Sequence, residues 1–386
     1  MKKKRRVSEA GLVLFLLFIL LGALAGAEDR QAQAPPPASE LKDIPVPVIH
    51  VKGNHYEVGY QIGTRLKDGM LREAAEMKKR PDWKKVRAEA ELFLAYTNKY
   101  MPEYVTEIKG AADAAGLEVA DVFPSLCEEI GDPNYRFTRG CSDLIASNDV
   151  TSDGSVLAAH NNDTSVSSQD SVVVVHYQVD GEPEIVTVGF GALSISVGYN
   201  SAGISLTGNQ LDSNDMRVGV PRLLLVRKIL AARTLGDAID AAILKERASN
   251  YNQLITDSSG EIYSIEGSAT DYAPLYSTAG YLVHTNHYVA PYMRNFEVDP
   301  QGITSSIIRF NRGSRLLKKN AGRITVDMLK GFLSDHVNYP KSICRHGDRI
   351  KTTFSVIINL TTKTMLMARG NPCEVKFRVY DLFTQK

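Results

Sequence analysis

The sequence predicts an α+β domain built in layers, and three observations support this prediction. A helical pattern fills residues 56–115, strand-like runs separated by turns occupy residues 144–207, and further helices and strands follow to the C-terminus. Regular strand–helix–strand units do not occur, which disfavours a doubly wound parallel sheet. With 386 residues, of which 44% are hydrophobic, the chain is long enough to bury a sizeable core.

The N-terminus has the composition of an export signal. Five basic residues at positions 2–6 precede an apolar run from Gly11 to Gly22 and small residues that end at Ala27. We predict a signal peptide over residues 1–27 and a secreted or periplasmic protein. A signal anchor is the alternative, but the apolar run is shorter than the roughly 20 residues that a membrane span needs. No stable membrane span is therefore expected in the mature form.

Residues 28–44 are rich in Ala, Pro and Gln and predict a disordered linker before a single domain over residues 45–386. The whole chain carries 45 basic and 44 acidic residues, which gives no reason to expect a nucleic-acid partner.

Within the domain, Val46–Val51 predicts a strand, and the helical segment after it is interrupted at Pro81 and Pro102, where new helices are expected to begin. Gly59 and Gly63 lie on one helix face and predict close helix packing. The remaining elements are three hairpins (144–148 with 156–160, 172–175 with 185–188, 194–199 with 203–207), helices at 221–232, 235–247, 304–318 and 325–336, and strands at 253–257, 261–265, 281–284, 354–360, 364–368 and 375–379.

The chain has four cysteines, which are Cys127, Cys141, Cys344 and Cys373. In an oxidising compartment Cys344 and Cys373 could form a disulfide, and the sequence leaves this question open. Neither a Cys-x-x-Cys nor a His-Glu-x-x-His pattern occurs, so we expect no zinc site and no cofactor.

The dipeptide Gly140-Cys141 predicts nucleophilic chemistry. A thiol attacks as the thiolate and needs a base nearby. Cleavage of the chain before Cys141 would create an α-amine that titrates at about 7.7–8.0, close to working pH. Gly140 has no side chain to obstruct attack on its carbonyl group. The sequence therefore permits a self-cleaving precursor in which Cys141 is the nucleophile and its own amine is the base.

Acyl transfer also needs groups that hold the amine and stabilise an oxyanion. Asn209 and Asn286 follow predicted strands and could donate to an oxyanion, although such residues are most often turn residues. Asp163 is the nearest carboxylate in sequence that could hold the amine.

Several motifs occur together and in order: Arg139-Gly140-Cys141-Ser142, His160-Asn161-Asn162-Asp163, Tyr199–Gly203, Gly219–Pro221, Thr285-Asn286-His287, Ser306–Arg309 and Cys344-Arg345-His346. In this combination the chain resembles the acyl-coenzyme A:6-aminopenicillanate acyltransferase family (isopenicillin-N acyltransferase-like) of cysteine N-terminal-nucleophile hydrolases. Its relatives include choloylglycine hydrolases and acid ceramidase. The resemblance covers residues 51–377.

This resemblance implies a four-layered αββα sandwich that is self-cleaved between Gly140 and Cys141. The products would be an N-terminal chain of residues 28–140, with 45–140 as its part of the domain, and a C-terminal chain of residues 141–386, and the two would remain associated. It also implies roles for five residues: Cys141 as nucleophile, Asp163 holding its amine, Asn209 and Asn286 cradling the amine or the oxyanion, and Arg309 favouring the thiolate.

His160 departs from the family pattern, because relatives more often carry Gln or Arg at this position. An imidazole there would weaken any fixed positive charge beside the thiol. His160 and Tyr288 are candidates for substrate binding, with packing or hydrogen bonding as the alternative. Further candidate walls of an acyl site, all equally consistent with core packing, are Tyr135, Phe137, Phe190 and Leu193.

The expected function is an exported amidase or acylase that cleaves a small-molecule acyl amide through a thioester on Cys141. The alternatives are an acyltransferase on the same scaffold and a non-catalytic envelope binding protein with an unprocessed thiol. A papain-like protease is disfavoured because Cys141 precedes a predicted strand rather than a helix. A serine hydrolase is disfavoured because no Gly-x-Ser-x-Gly motif occurs.

Overall fold

The computed structural model describes residues 40–130, 140–191 and 193–383. The predicted signal peptide and most of the predicted linker lie outside these residues. The last part of that linker is ordered by contacts with the C-terminal segment: the Lys42 N–H donates to the Glu374 carbonyl at 2.8 Å, and Arg378 binds Asp43 at 2.6 Å. Lys42 and Asp43, which the sequence assigns to the linker, therefore contact the C-terminal segment.

Two β-sheets form the centre of the domain. The first has eight strands in the order β1-β4-β5-β6-β7-β8-β9-β10, and the second has six in the order β11-β2-β3-β12-β13-β14. Only the β1–β4 pairing is parallel among those named here. The bounds are β1 Val48–Gly53, β2 Gly140–Ala146, β3 Leu157–Ser165, β4 Val172–Val179, β5 Ile185–Phe190, β6 Ser194–Asn200, β7 Ile204–Asn209, β8 Asn252–Asp257, β9 Ile262–Gly267, β10 Tyr272–Tyr276, β11 Tyr281–His284, β12 Ile350–Asn359, β13 Thr364–Ala368 and β14 Arg378–Tyr380.

Helices cover the outer face of each sheet. Their bounds are α1 His55–Lys78, α2 Trp83–Tyr100, α3 Pro102–Ala115, α4 Val119–Val122, α5 Arg222–Leu230, α6 Leu235–Ala242, α7 Thr304–Asn320 and α8 Val326–Leu333. Asn54 begins α1 with a capping box, in which its side chain accepts from the Glu57 N–H and Glu57 accepts from the Asn54 N–H. Pro102 begins α3 as predicted, because its missing N–H is no loss at the first helical position.

Three hydrophobic clusters separate the layers. One joins α1–α3, α5 and α6 to the eight-stranded sheet, for example through Ile62, Leu225 and Ile255. A second lies between the sheets and includes Val188 and Phe354, and a third joins the six-stranded sheet to α7 and α8. Each cluster fills the space between two adjacent layers, and the four layers follow the order helix, sheet, sheet, helix. The predicted four-layered αββα sandwich is confirmed.

The three predicted hairpins are present as β2–β3, β4–β5 and β6–β7. The helix predicted to reach Arg247 ends at Ala242, because the chain turns so that Arg247 can pair with Val220. Strand β10 was not predicted from the sequence, since it contains Pro274; it lies at the edge of its sheet, where a missing N–H is tolerated.

Gly59 and Gly63 lie at the contact between α1 and α3, as predicted. A Cβ on Gly59 would be 1.8 Å from the Glu107 carbonyl oxygen, and one on Gly63 would be 2.3 Å from that of Ala111. Among the described residues, no helix has the length and apolarity that crossing a membrane requires.

Candidate active site

Cys141 is the second residue of β2, an interior strand paired with β11 on one side and β3 on the other. In the β2–β3 register, Cys141 is opposite Asn162 and Asp143 is opposite His160. Because side chains alternate along a strand, these four residues share one face of the sheet. Ile145, two residues further along that face, belongs to the core between the sheets. The thiol therefore points toward the inter-sheet side.

His160 and Asp143 form a buried pair on this face. The His160 Nδ1 lies 2.8 Å from the Asp143 Oδ1, and both side chains are fully buried. Burial alone would lower the pKa of His160, but the Asp143 carboxylate and the Cys141 thiol raise it to about 10. Nδ1 thus carries a proton toward Asp143, and the ring is an imidazolium at neutral pH. A cation beside a thiol favours the thiolate form.

Asp143 was not identified from the sequence, and His160 was expected either to bind substrate or to pack or form a hydrogen bond. The structure instead places His160 between the thiol and a carboxylate. Its Nδ1 is engaged with Asp143, so Nε2 is the ring nitrogen that can exchange a proton with the thiol, which lies close enough to raise the pKa of the ring.

The backbone of Cys141 is held by Asn286 and Arg309. The Cys141 N–H donates to the Asn286 Oδ1 at 2.8 Å, and the Arg309 guanidinium donates to the Cys141 carbonyl. Arg309 also donates to the Asn286 Oδ1 at 2.8 Å and to the Ser142 Oγ at 2.9 Å. The Asn286 Nδ2 donates to the Gln210 carbonyl at 3.2 Å. Asn286 is therefore an acceptor for the nitrogen of Cys141, and one of its two N–H groups is engaged.

Arg309 reaches this position from α7, where it is almost fully buried. Burial lowers the pKa of its guanidinium, and the Asp163 carboxylate opposes that shift. The side chain contacts the backbone of Cys141 from the helix-facing side of the sheet, since Ser142 and Cys141 point to opposite faces.

Asp163 lies opposite Gly140 in the β2–β3 register. Its Oδ1 accepts from the Thr352 hydroxyl at 2.7 Å, whereas Oδ2 has no hydrogen-bond partner among the described residues. A Cβ on Gly140 would be 3.2 Å from that Oδ2. Burial raises the pKa of Asp163, and Arg309 and Arg345 oppose the rise. The carboxylate thus lies at the Gly140 end of the peptide bond, on the opposite face from the thiol.

Asn209 ends β7 and is fully buried. Its Oδ1 accepts from the Asn252 Nδ2 at 3.2 Å and lies 2.9 Å from the His284 Nδ1, while His284 Nε2 lies 2.8 Å from Glu266. The Asn209 Nδ2 has no hydrogen-bond partner among the residues that the structure describes. This network fixes the amide with an unused donor, which is the property an oxyanion donor needs.

Tyr288 lies in a separate small cluster with Leu211, Ala290 and Met293, and its hydroxyl donates to the Gly267 carbonyl at 2.9 Å. This position favours packing over substrate binding. Two of the other predicted wall residues, Tyr135 and Phe137, lie outside the described residues.

A small cleft opens at Cys141. Its apolar lining includes Phe190, Ile195, Leu223 and Val226, and its polar lining includes Asn162 and Gln210. Arg222, which also lines it, is bound by Glu128 and stacks on the Tyr251 ring with its Cζ 3.5 Å from the centroid. A cleft of this kind can hold an apolar group next to the thiol.

The sequence profile of the acyl-coenzyme A:6-aminopenicillanic acid acyl-transferase family matches residues 150–374, which is more than half of the chain. The chain belongs to this family. It is also 26% identical over 326 residues to the 40 kDa form of acyl-coenzyme A:6-aminopenicillanic-acid-acyltransferase from Emericella nidulans, covering 81% of this chain and 89% of that protein. The family predicted from the ordered motifs is confirmed.

Two solved structures are similar to this acyltransferase family member. A mutant of conjugated bile acid hydrolase from Clostridium perfringens has a TM-score of 0.42 and 12% identity, covering 62% of this chain and 96% of its own. Penicillin V acylase from Agrobacterium tumefaciens has a TM-score of 0.42 and 13% identity, covering 64% of this chain and 86% of its own. The fold assignment itself rests on the four layers described above.

Proposed function

We propose that this chain is an exported cysteine hydrolase that cleaves an acyl amide through a thioester on Cys141, after self-cleavage between Gly140 and Cys141. The main support for the proposal is that several polar side chains converge on Cys141. Asn286 and Arg309 hold the Cys141 backbone, and its thiol lies beside the buried His160–Asp143 pair. Membership of an acyltransferase family supports acyl-group chemistry.

Self-cleavage needs a base before the α-amine exists, because the nitrogen of Cys141 is then an amide. His160 is suited to this role, because Asp143 stabilises the imidazolium that holds the thiol proton. In the reactive pair His160 already holds the proton of the thiol as an imidazolium, and the thiolate attacks the Gly140 carbonyl carbon. The C–S bond forms, the C–N bond breaks, and the nitrogen takes the proton. Water then hydrolyses the thioester and releases the Gly140 carboxylate and the thiol.

The new amine would remain where the amide was. Asn286 Oδ1 already accepts a hydrogen bond from this nitrogen. The Asp163 Oδ2, which no described residue contacts by a hydrogen bond, lies on the side that Gly140 vacates and would balance the charge of the ammonium form. An α-amine with a pKa near 8 can then act as a general base in turnover.

In turnover, the thiolate attacks the acyl carbon of a substrate whose apolar acyl group occupies the cleft. The Asn209 Nδ2 is the proposed donor to the oxyanion, because neither of its N–H groups has a partner among the described residues, whereas one of the two N–H groups of Asn286 is engaged with Gln210. The C–N bond of the substrate breaks as the leaving nitrogen is protonated, and water hydrolyses the thioester to give the acid and the free thiol.

Acyl transfer is the second candidate function, and the family description together with the relative from Emericella nidulans favours it. The two functions share the thioester and differ only in the acceptor. Hydrolysis is preferred here because the predicted compartment offers water and lacks coenzyme A thioesters. Adding a primary amine during turnover distinguishes them, since a transferase forms the new amide in preference to the acid.

The proposal is tested by intact-mass spectrometry and a panel of fluorogenic acyl amides that vary in chain length and head group. The wild-type protein should give two chains divided at Gly140–Cys141 and should hydrolyse at least one substrate. Cys141→Ala should remain uncut and inactive, whereas Cys127→Ala, which removes a buried thiol elsewhere, should be cut normally. An active wild-type protein that is uncut across Gly140–Cys141 would overturn the self-cleavage proposal. An uncut protein with no activity would favour a binding protein.

A further inference from the structure

A second cluster of reactive side chains lies outside the candidate active site. It consists of His336, Cys344, His346 and Cys373, whose nitrogen and sulfur atoms all lie within 4.8 Å of one another. Cys344 is buried, and the other three side chains are partly exposed. The sequence predicted no zinc site, because these residues do not follow a familiar ligand spacing.

Four of the six distances between the ligand atoms are close to the edges of a tetrahedral metal site, and the two from His336 to the sulfurs are at most 4.8 Å. With Zn–S near 2.3 Å and Zn–N near 2.05 Å, a tetrahedron has edges of about 3.3 Å between nitrogens, about 3.6 Å between nitrogen and sulfur, and about 3.8 Å between sulfurs. The His336 and His346 Nε2 atoms are 3.1 Å apart, and the two Sγ atoms are 3.6 Å apart. The His346 Nε2 lies 3.5 Å from the Cys344 Sγ and 3.3 Å from the Cys373 Sγ.

A disulfide does not account for this arrangement. The Cys344 and Cys373 sulfurs are separated by 3.6 Å, well beyond the bond length of about 2.05 Å, and both are free thiols in the structure. A disulfide would also leave unexplained why two imidazole nitrogens lie within 4.8 Å of both sulfurs.

Histidines and thiolates that bind a metal usually make hydrogen bonds with neighbouring groups, and this cluster has neighbours of that kind. The Glu374 carboxylate lies 3.6 Å from the His346 Nδ1, the ring nitrogen that would not bind metal. The Asn371 Nδ2 lies 3.5 Å from the Cys344 Sγ and also donates to the Arg345 carbonyl at 2.8 Å. A donor directed at sulfur stabilises the thiolate.

We infer that His336, Cys344, His346 and Cys373 form a structural Cys₂His₂ zinc site. Soft thiolates combined with imidazoles in a tetrahedral set select zinc among the common divalent ions. All four positions are filled by the protein, which leaves no open position for a catalytic water.

The cluster lies close to the residues that surround Gly140. Arg345 lies between two ligands, and a Cβ on Gly140 would be 3.2 Å from its Nη1. The Arg345 N–H donates to the Thr352 Oγ1 at 3.0 Å, and that hydroxyl donates to Asp163 at 2.7 Å. Zinc would therefore fix the segment that places Arg345 and Thr352 against Gly140 and Asp163. The zinc site does not depend on the proposed role of Cys141.

The test measures metal in the full-length protein, purified without a metal-affinity tag from cells grown with zinc. Mass spectrometry of the metal content should give about one zinc per chain, as expected for a structural site. Cys373→Ser and His336→Ala should each lose most of it. Cys141→Ala and Cys127→Ala are matched controls, since neither thiol belongs to the cluster, and both should keep the zinc whatever happens to activity.

A second measurement covers the case in which the variants do not fold. Wild-type protein stripped with a chelator and reconstituted with Co²⁺ should show the visible absorption of tetrahedral cobalt together with thiolate-to-cobalt charge transfer. The inference is overturned by folded wild-type protein that carries no zinc and shows no such bands. It is equally overturned by peptide mapping that finds a Cys344–Cys373 disulfide in the active enzyme.

Discussion

The Asp143 Oδ1 lies 2.8 Å from the His160 Nδ1, and the two residues face each other across β2 and β3 on the side that carries the Cys141 thiol. The sequence suggested that a histidine at position 160 would weaken the positive charge beside the thiol. Asp143 has the opposite effect, because its carboxylate raises the pKa of the buried ring to about 10 despite the opposing effect of burial. The ring therefore remains charged at neutral pH.

Replacing Asp143 by Asn should therefore slow both self-cleavage and turnover. The amide keeps the size of the side chain but removes the charge that stabilises the imidazolium, so we expect a loss of about 10²-fold in rate, within the range of general acid–base effects. Timed gels of the uncut chain and steady-state kinetics measure the two steps. A variant with wild-type rates and an unchanged pH–rate profile would contradict the role of the pair.

His160 also predicts how stability depends on pH. Its pKa is raised from 6.5 to about 10 on folding, so its contribution is fully present below pH 6.5 and is lost as pH rises through about 10. The free energy of unfolding of wild type minus that of His160→Gln should fall between these limits by up to about 1.4 kcal/mol per pH unit. Urea titrations of both proteins in the Cys141→Ala background, which should keep the chain uncut, measure the part of this difference that Asp143 supplies, since the contribution of the thiol is then absent. A difference that is flat with pH would refute the prediction.

Substitutions of Asn209 and Asn286 should affect different steps, turnover and self-cleavage respectively. Asn209→Ala removes the proposed oxyanion donor and should lower kcat by about 10²–10³-fold. Asn286→Ala removes the acceptor for the Cys141 nitrogen and should first impair self-cleavage. Processing on gels and kcat of the processed fraction distinguish the two. Equal effects of both variants on both steps would argue against this division.

Two glycines of α1 offer a matched test of the helix contact. A Cβ at Gly59 would lie 1.8 Å from the Glu107 carbonyl oxygen, whereas at Gly69 nothing lies within 4 Å. Gly59→Ala should therefore destabilise the protein by about 1–3 kcal/mol through overpacking. Gly69→Ala should stabilise it by up to about 1 kcal/mol through helix propensity. Denaturant unfolding of both variants measures the contrast, and effects of the same sign would contradict it.

Arg227 should be one of the most sensitive positions in the outer helix layer. Its buried guanidinium lies 2.8 Å from Glu182 and 3.2 Å from Glu107. Arg227→Met leaves both carboxylates without this charge and should cost about 3–5 kcal/mol in the free energy of unfolding. Lys330→Ala, which removes the partner of the exposed Asp327, is the control and should cost less than about 1 kcal/mol. A similar loss in both variants would contradict the buried-charge argument.

The sequence predicted much of the fold because its signals are local. Turn residues such as Asp180-Gly181 mark the hairpins, and alternating side chains mark the strands between them. The end of α6 was predicted too late because the Val220–Arg247 bridge is a tertiary contact that overrides helix propensity.

The candidate active site was predicted less completely, because the register of β2 against β3 cannot be read from the sequence. Cys141, Asp163, Asn286 and Arg309 could be identified from motifs. The partnership of Asp143 with His160 depends on strand register, and residues 147–156, which join the strands, are too long a connection to fix that register. The zinc cluster was missed because Cys373 is far in sequence from its three partners.

The position of Gly140 at the start of β2 has a consequence for the lifetime of the enzyme. A cut there assigns β1 and α1–α4 to one chain, while β4, which pairs with β1 along Val48–Gly53, belongs to the other. Refolding of the cut protein would then be a second-order reaction between two polypeptides that were made as one. In dilute surroundings the two halves would rarely meet again, so the working life of each molecule would be set by its rate of unfolding rather than by its equilibrium stability.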